Sequence, residues 1–364
     1  MRALEFRAGP KAVAHLREHG LRAQDIAAIP AAAGGPKGLI LQALDQWLFG
    51  VWLPGAARQR SLIGASIGAW RMAAACHVDP AAAFQRLGDL YCEQRYPHKP
   101  PPQLVTDMCR QLLADFIGGH EEEIINHPQF HLHLLTVRGR GLLRAPQRKV
   151  MAAAGFARAT LANLRSRNHL AGHLERAVVG DARDPVSWMK TEFDGFTTHF
   201  APLTTANLAT ALLASATLPM IMQPVTGIPL APPGTYWDGG LIDYHLALPY
   251  SHIDSNVQTS LVLYPHFAPG IVPGWLDKAM PWRHASSARQ QNWYDNVLLV
   301  SPSREFLQTL PRKKLPDRQD FHYYGLDHDA RILNWKKAMS EGQRLRDELA
   351  AFIARPDLSL VRTL

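Results

Sequence analysis

The fold is decided by residues 62–70, which read LIGASIGAW. The first two residues are apolar and predict a short buried strand, and the alanine-rich stretch after Gly68 predicts a helix. Between them the sequence matches the pattern G-x-S-x-G, with Ser66 at its centre. A serine at such a turn is held in a strained backbone conformation, and the flanking glycines, Gly64 and Gly68, let neighbouring chain approach closely. We therefore predict that Ser66 is a nucleophile.

The helix after Ser66 adds a second argument for a reactive serine. Its N-terminal dipole favours negative charge at the point where the serine hydroxyl lies. The N–H of Ile67 is then a candidate oxyanion donor. The pattern alone also fits an ordinary structural turn, because G-x-S-x-G matches occur by chance.

A glycine-rich turn lies upstream, where residues 33–38 read AGGPKG after an apolar run. It fails the phosphate-binding pattern G-x-x-x-x-G-K-[ST], because no hydroxyl residue follows Lys37, and it fails the dinucleotide fingerprint G-x-G-x-x-G. Two interpretations remain. One is an oxyanion hole in which the N–H groups of Gly34 and Gly35 point at a developing alkoxide, with Pro36 unable to donate. The other is a plain tight turn.

An aspartate far along the chain is the third candidate, in residues 236–240, which read YWDGG. An aspartate followed by two glycines, here Gly239 and Gly240, is a common turn signal. A nucleophilic serine at a strand-to-helix turn, which we call the elbow, nevertheless needs a base to accept its proton. Asp238 is a candidate for that base. An ordinary α/β-hydrolase would add a histidine, and His245, His252 and His266 are available beyond the aspartate for such a triad.

Short apolar runs alternate with helical stretches along the chain. This alternation predicts an α/β fold, a three-layer α/β/α sandwich with a mostly parallel central sheet. The predicted strands lie at 26–33, 62–63, 131–137, 198–203, 259–264 and 297–300. The predicted helices lie at 10–22, from 36 to about 48, 67–76, 81–91, 104–116, 204–215 and 332–353.

We expect one catalytic domain over residues 1–364, with the motifs in a core of about 22–300. Residues 80–130 are helical with a proline cluster, and they form either a cap over the site or an ordinary peripheral insertion. Residues 301–364 are a basic, mostly helical C-terminal extension. Its cations, such as Lys313 and Lys337, either contact anionic lipid head groups or form a solvated face.

The composition of the 364-residue chain is that of a globular protein, with 47% hydrophobic residues and a net charge of +8. That charge suits an anionic partner or a basic surface without one, and no nucleic-acid-binding signature is found. Three cysteines fit a reducing compartment. The N-terminus does not resemble a secretory signal, and no stretch is long and apolar enough to span a membrane. We expect a cytoplasmic protein, with peripheral membrane contact as the alternative, and no cofactor or metal.

Together the three motifs resemble those of the patatin-like phospholipase family, which carries G-G-G-x-[RK]-G, then G-x-S-x-G, then D-G-[GA]. Here they occur in that order as AGGPKG, GASIGAW and DGG. A fourth stretch, residues 214–219 (ASATLP), is similar to the family's A-S-x-A-x-P block. The resemblance covers roughly residues 26–250, over half of the chain.

The resemblance implies a Ser–Asp dyad without histidine. By position, Ser66 would be the nucleophile and Asp238 the general base. The backbone of Gly34 and Gly35 would form the oxyanion hole, and Lys37 stands at the basic position of the glycine loop.

The chain departs from the family pattern at three places. Ala33 replaces the first loop glycine, and Thr217 stands where relatives usually have alanine. The residues after the aspartate block read LIDYHLALP, without the asparagine that relatives commonly place before the proline. These departures put local detail in question and leave both dyad residues in place.

The implied activity is hydrolysis of carboxylic ester bonds in lipids. Two alternatives stay open at this point: an esterase with a Ser-His-Asp triad, and a catalytically idle lipid-binding protein of the same fold. The acyl chain, the head group and the oligomeric state are not encoded in any of these motifs.

Overall fold

An eleven-stranded mixed sheet forms the centre of the computed structural model, which describes residues 2–146, 148–253, 260–284 and 292–364. Its strands are β1 (Leu4–Ala8), β2 (Ile26–Ala31), β3 (Arg60–Ala65), β4 (Phe130–Gly139), β5 (Leu174–Gly180), β6 (Thr198–Pro202), β7 (Val225–Thr226), β8 (Thr235–Asp238), β9 (Leu261–Pro265), β10 (Val297–Pro302) and β11 (Val361–Thr363). They are arranged in the order β11-β1-β10-β9-β2-β3-β4-β5-β6, with the β7–β8 hairpin attached to β4.

Helices flank this sheet. In the described residues they are α1 (Pro10–His19), α2 (Gln42–Trp47), α3 (Ile67–Ala75), α4 (Pro80–Cys92), α5 (Pro102–Ile117), α6 (Glu121–Ile125), α7 (Lys149–Arg165), α8 (Arg167–Leu170), α9 (Thr205–Ser215), α10 (Arg304–Thr309), α11 (Gln319–Tyr324), α12 (His328–Glu341) and α13 (Gln343–Ala354). None of the helices in the described ranges is long and apolar enough to cross a membrane.

The five central strands β10, β9, β2, β3 and β4 are parallel to one another. Both edges reverse direction, because β1 runs antiparallel to β10 and β5 runs antiparallel to β4. The central strands are buried and apolar, as is typical of parallel strands covered on both faces. The predicted α/β fold with a mostly parallel central sheet is confirmed.

Most predicted elements are present, and two predicted helices differ from those in the structure. The helix expected from residue 36 begins as a 3₁₀ helix over Gly35–Leu41 before α2. The single helix expected over 332–353 is broken at Gly342, where a side chain would come within 2.5 Å of the Ile40 carbonyl oxygen. Close backbone contact therefore requires the glycine that ends α12. The strand expected at 259–264 begins outside the described residues at 259, and its described part is β9.

Strand β4 is long enough to pair with two strands along the same edge. Residues 130–135 of β4 pair in parallel with β3, and residues 136–138 pair antiparallel with β8. Ala65, the last residue of β3, lies opposite Leu135, and Asp238, the last residue of β8, lies opposite Thr136. The C-terminal ends of β3 and β8 therefore meet head-on.

Residues 80–130 contain α4, α5 and α6, which pack on neighbouring helices: α4 against α2 and α3, and α5 against α9. In the C-terminal extension, α12 and α13 pack against α2. The single-domain organisation and the cap over 80–130 stay predictions.

Many cations of the C-terminal extension form ion pairs within the chain. Lys314 Nζ lies 2.7 Å from Asp317 and 2.8 Å from Asp320, and Lys336 Nζ lies 2.9 Å from Glu93. These contacts favour a paired, solvated face over a free cationic patch, and membrane contact stays a prediction.

A buried ion-pair network fixes the loop that follows β8. The Arg176 guanidinium on β5 is fully buried and donates to both carboxylate oxygens of Asp243, at 2.7 and 2.9 Å. It also donates to Asp194, at 2.7 and 3.2 Å, and to the Thr198 hydroxyl. Because Asp243 lies five residues after Asp238, this network anchors the aspartate loop to the sheet.

We predict that Arg176→Met destabilises the fold by about 3–5 kcal/mol, because it leaves buried carboxylates without their cation. Urea unfolding followed by circular dichroism measures this change. Arg346→Met is the matched control, since its pair with Asp347 is exposed and contributes about 0–1 kcal/mol. Equal stability of the two variants would contradict a structural role for the network.

Candidate active site

Ser66 lies at a sharp turn between β3 and α3, in a backbone conformation that non-glycine residues rarely adopt. Its φ is +56° and its ψ is −129°. The flanking glycines are required by packing: a side chain at Gly68 would lie 1.9 Å from the Ala31 carbonyl oxygen, and one at Gly64 would lie 2.5 Å from the Ala69 Cα. The turn therefore stores backbone strain that presents the serine hydroxyl to the sheet end.

Asp238 is brought to the serine by the pairing of β3 and β8 with β4. The Ser66 hydroxyl donates to Asp238 Oδ2 at 2.8 Å, and the Gly240 N–H donates to Oδ1 at 2.7 Å. Ser66 and Asp238 are buried, with only 3% and 4% of their surfaces exposed. The two residues expected to form a dyad are thus in direct contact.

Burial raises the pKa of the Asp238 carboxyl above its ordinary value. The positive charge of Arg318 and the hydrogen bonds from Ser66 and Gly240 act in the opposite direction and do not cancel this effect. A carboxylate with a raised pKa is a stronger base than a solvated one.

Residues 214–219 (ASATLP) accept hydrogen bonds from the backbone of both Ser66 and Asp238. The Ser66 N–H donates to the Ser215 hydroxyl at 2.9 Å, and that hydroxyl donates to the Leu135 carbonyl oxygen at 2.7 Å. The Asp238 N–H donates to the Thr217 carbonyl oxygen at 2.8 Å. Ser215 and Thr217 therefore fix the backbone of both dyad residues, a role that the sequence indicated only as a motif match.

None of the described histidines hydrogen-bonds to Ser66 or Asp238. His245 Nδ1 is held by the backbone of Gly270 and Val272 at 3.1 Å, and burial lowers the pKa of this histidine well below its ordinary value. His266 contacts the backbone of Ala268, and burial lowers its pKa to about 3. His252 is exposed.

The glycine loop lies beside the dyad. Gly34 lines the same cavity as Ser66 and Asp238, whereas Gly35 and Ile67 are not among the lining residues. Gly35 has a φ of +57°, which favours glycine. Within the described ranges, the N–H groups of Gly34, Gly35 and Ile67 donate to no other protein group, as expected at the start of a helix.

The departure at Ala33 has a packing explanation. Its side chain faces Gly240, where an added Cβ would lie 2.8 Å from the Ala33 Cβ. A methyl group at 33 is accommodated because position 240 has none. The neighbouring Gly239 is required by backbone contact, since a side chain there would lie 2.2 Å from the Leu135 carbonyl oxygen.

The cavity over the dyad has a volume of about 180 Å³ and is lined by three cationic side chains. Lys37 comes from the glycine loop, Lys278 from the stretch after β9, and Arg318 from the C-terminal extension. The sequence motifs singled out only Lys37, because no local pattern marks the other two. Gly34 itself is fixed by Phe267, whose ring would be 2.5 Å from a side chain at that position.

A second cluster of potential ligands lies away from this cavity. His77, His120 and Glu123 place one ligand atom each within 4.8 Å of one another. His77 follows the C-terminal end of α3, about 14 Å from the elbow at 1.5 Å per helical residue. The Glu123 carboxylate already bonds both imidazoles, at 3.0 and 2.5 Å, and the Arg86 guanidinium lies 3.5 Å from His77 Nδ1. The Nδ1 atoms of both histidines are therefore already engaged by Glu123, whereas His77 Nε2 is buried without a hydrogen-bond partner among the described residues.

Comparison with known protein families identifies the family of this chain. The family model for patatin-like phospholipase matches residues 34–248, which include the elbow, the glycine loop and the aspartate block. The match extends over more than half of the chain, and the chain therefore belongs to the patatin-like phospholipase family.

A solved structure of the human GIVD cytosolic phospholipase A2 is also similar, with 11% identity and a TM-score of 0.30. The alignment covers 94% of this chain, which spans 62% of that protein's chain. Likeness at that level does not bear on function. None of the curated protein sequences matches this chain.

We predict that Ser215→Ala lowers kcat for ester hydrolysis by about tenfold or more, because the Ser66 N–H loses its acceptor and the elbow loses an anchor. KM should change little, since Ser215 does not line the cavity. Ser340→Ala is the control, because that exposed hydroxyl donates only to a helix carbonyl. Equal kcat in the two variants would contradict the positioning role of Ser215.

We also predict that Asp238→Asn raises or preserves the melting temperature. Because the folded-state pKa is raised above the unfolded-state value, the fold loses stability as the pH rises from the unfolded-state pKa to the folded-state pKa, and the cost is constant above it. The difference between variant and parent should therefore be larger at pH 8 than at pH 4. Differential scanning calorimetry at both pH values measures it, and a variant that melts lower at pH 8 than at pH 4 relative to the parent would refute the argument.

Proposed function

We propose that this protein hydrolyses carboxylic ester bonds of lipids through a Ser66–Asp238 dyad. The observation that carries the proposal is the 2.8 Å hydrogen bond between the two side chains at a strained elbow. A nucleophilic serine requires an adjacent base, and Asp238 is the described side chain that contacts the hydroxyl.

Acylation begins when the Ser66 oxygen attacks the ester carbonyl and Asp238 accepts the hydroxyl proton. Negative charge then develops on the carbonyl oxygen. The N–H groups of Gly34, Gly35 and Ile67 are the donors available to stabilise it, and preorganised donors of this kind contribute strongly to acyl transfer. The leaving alcohol takes the proton from Asp238, and the acyl group stays on the serine.

Deacylation reverses the roles. Asp238 accepts a proton from a water molecule, whose oxygen attacks the acyl-enzyme carbonyl. Collapse of the second tetrahedral intermediate releases the fatty acid, and the proton returns to the Ser66 oxygen. The raised pKa of Asp238 suits both steps, because the group must accept and release a proton in each cycle.

The two alternatives gain no support from the site. His245 and His266 are buried and bonded to backbone groups, so neither is in position to relay the serine proton. A catalytically idle lipid-binding protein would not need a strained serine in contact with a buried carboxylate. The cytoplasmic location and the peripheral membrane contact stay predictions.

We predict that Ser66→Ala and Asp238→Asn each lower kcat for short-chain ester hydrolysis by about 10³-fold or more, as expected for the loss of a nucleophile or its base. A fluorophosphonate probe should label the parent at Ser66, as identified by peptide mass spectrometry. It should not label the Ser66→Ala variant.

The control is His252→Gln, which should hydrolyse the same ester at the parental rate because this side chain is exposed. Full activity of either dyad variant would overturn the proposal, and loss of activity in the His252 variant would favour a triad. A parent that neither reacts with the probe nor turns over any ester would favour the idle lipid-binding alternative.

A further inference from the structure

Three cations line the dyad cavity, and the carboxylates of Asp238 and Asp317 line it with them. Within the described part of the chain, Lys37, Lys278 and Arg318 form no ion pair with a carboxylate. Lys37 and Arg318 are half-buried and Lys278 is exposed. Cations that are partly withdrawn from water are normally paired, because removal of their charge from water is costly. Their convergence on one cavity therefore indicates an external anion.

The two carboxylates in this cavity already have partners. Asp238 accepts from Ser66 and Gly240, and Asp317 is bound by the Lys314 ammonium at 2.7 Å and the Gln319 N–H at 2.8 Å. In the described residues, neither carboxylate forms an ion pair with any of the three cations. The cationic donors consequently stay available to a ligand.

Aromatic rings hold the two lysines in place without consuming their N–H donors. Lys278 Nζ lies 4.0 Å from the centroid of the Tyr244 ring, and Lys37 Nζ lies 5.5 Å from that of Phe267. A cation–π contact is an electrostatic attraction between the charge and the face of the ring, and it occupies no particular N–H group of the ammonium. Each ammonium can therefore still donate into the cavity.

The cations also repel one another. Burial, together with the charges of Lys37 and Arg318, lowers the pKa of Lys278 to about 8, against the smaller opposing effects of the Asp238 and Asp317 carboxylates. Burial likewise lowers the pKa of Lys37. An anion bound between these groups would relieve this repulsion.

Arg318 is placed directly over the glycine loop. A side chain at Gly35 would come within 3.1 Å of the Arg318 Nε, so the guanidinium packs against the turn that offers oxyanion donors. Lys278 and Arg318 both lie outside residues 34–248, the part of the chain that matches the family. These two cations of the cavity are therefore contributed by the second half of the chain and not by the shared motifs.

We propose that Lys278 and Arg318, together with Lys37, form an anion-binding subsite that binds a phosphate or carboxylate group carried by the ester substrate. The inference rests on the proposed function. Because the cations and Ser66 line one cavity of about 180 Å³, the anionic group lies within a few bonds of the scissile carbonyl. The site thereby selects anionic esters over neutral ones of the same chain length.

Short-chain soluble lipids test this selection without a membrane surface. The kcat/KM values for dihexanoyl phosphatidate and dihexanoylglycerol are compared in the parent, Lys278→Gln and Arg318→Gln. Each variant should lose about tenfold or more on the phosphatidate, since a charge-assisted hydrogen bond is lost, and less than about threefold on the neutral lipid. Lys337→Gln, which removes an exposed cation from α12, should leave both values unchanged.

A parent without preference for the phosphatidate, or variants that lose equally on both lipids, would overturn the subsite. The mono-4-nitrophenyl ester of glutaric acid, compared with 4-nitrophenyl butyrate, decides whether a carboxylate is accepted as well as a phosphate. Inorganic phosphate that inhibits competitively, while the ester pairs show no preference, would mean that a free anion binds there and that the substrate proposal is wrong.

The pH dependence gives a second readout. The ratio of the two kcat/KM values should fall as the pH rises through about 8, because Lys278 loses its proton. Titration of Asp238 acts on both substrates and cancels in the ratio. The pKa of Lys278 is lowered first by burial and then by Lys37 and Arg318, and it is raised by Asp238 and Asp317. In Lys278→Gln the decrease near pH 8 should disappear, and its persistence there would contradict the assignment.

Binding to the Ser66→Ala variant separates failure of the subsite from failure of the proposed function. Isothermal titration calorimetry should show dihexanoyl phosphatidate binding about tenfold or more weaker when Arg318→Gln is added to that variant. If the parent hydrolyses no ester but this difference is found, the proposed function is wrong and the anion subsite stands. Equal binding by both proteins would overturn the subsite regardless of activity.

Discussion

The pairing of β4 with two strands along one edge is the constraint on which the site depends. β3 occupies the first half of that edge and β8 the second, so the strand that ends at Ala65 and the strand that ends at Asp238 point at each other. The next residue after β3 is Ser66, and its hydroxyl is placed 2.8 Å from the aspartate without any intervening side chain. A single long strand thus brings the two side chains into contact.

The same geometry explains why burial and strain coincide at this point. The elbow is anchored by Ser215 from behind, and glycines at 64 and 68 allow backbone to pass within contact distance. The loop after the aspartate is tied to the sheet through Asp243 and the fully buried Arg176. A buried carboxylate with a raised pKa is unfavourable for stability, and these rigid contacts hold it where it can act as a base.

The three cations of the cavity come from three separate segments of the chain. Lys37 is part of the glycine loop, whereas Lys278 and Arg318 arrive from segments far along the chain. The elements that hold the dyad are packed strands and helices from distant parts of the sequence, and the groups that surround it come from loops and from the C-terminal extension. The proposed catalytic residues and the proposed anion subsite therefore lie in separate parts of the molecule, so that one can vary while the other is kept.

The sequence by itself determined the α/β fold, the elbow at Ser66 and the family, because each depends on short-range patterns of apolar runs, glycines and turns. It also named Asp238, although only through the order of the motifs. The contact between the two residues, the anchoring by Ser215, the burial that raises the carboxyl pKa and the three converging cations were decided by tertiary structure alone. Those properties depend on residues as far apart in the sequence as Lys37 and Arg318, and no local pattern records how strands pair or which loops meet over a cavity.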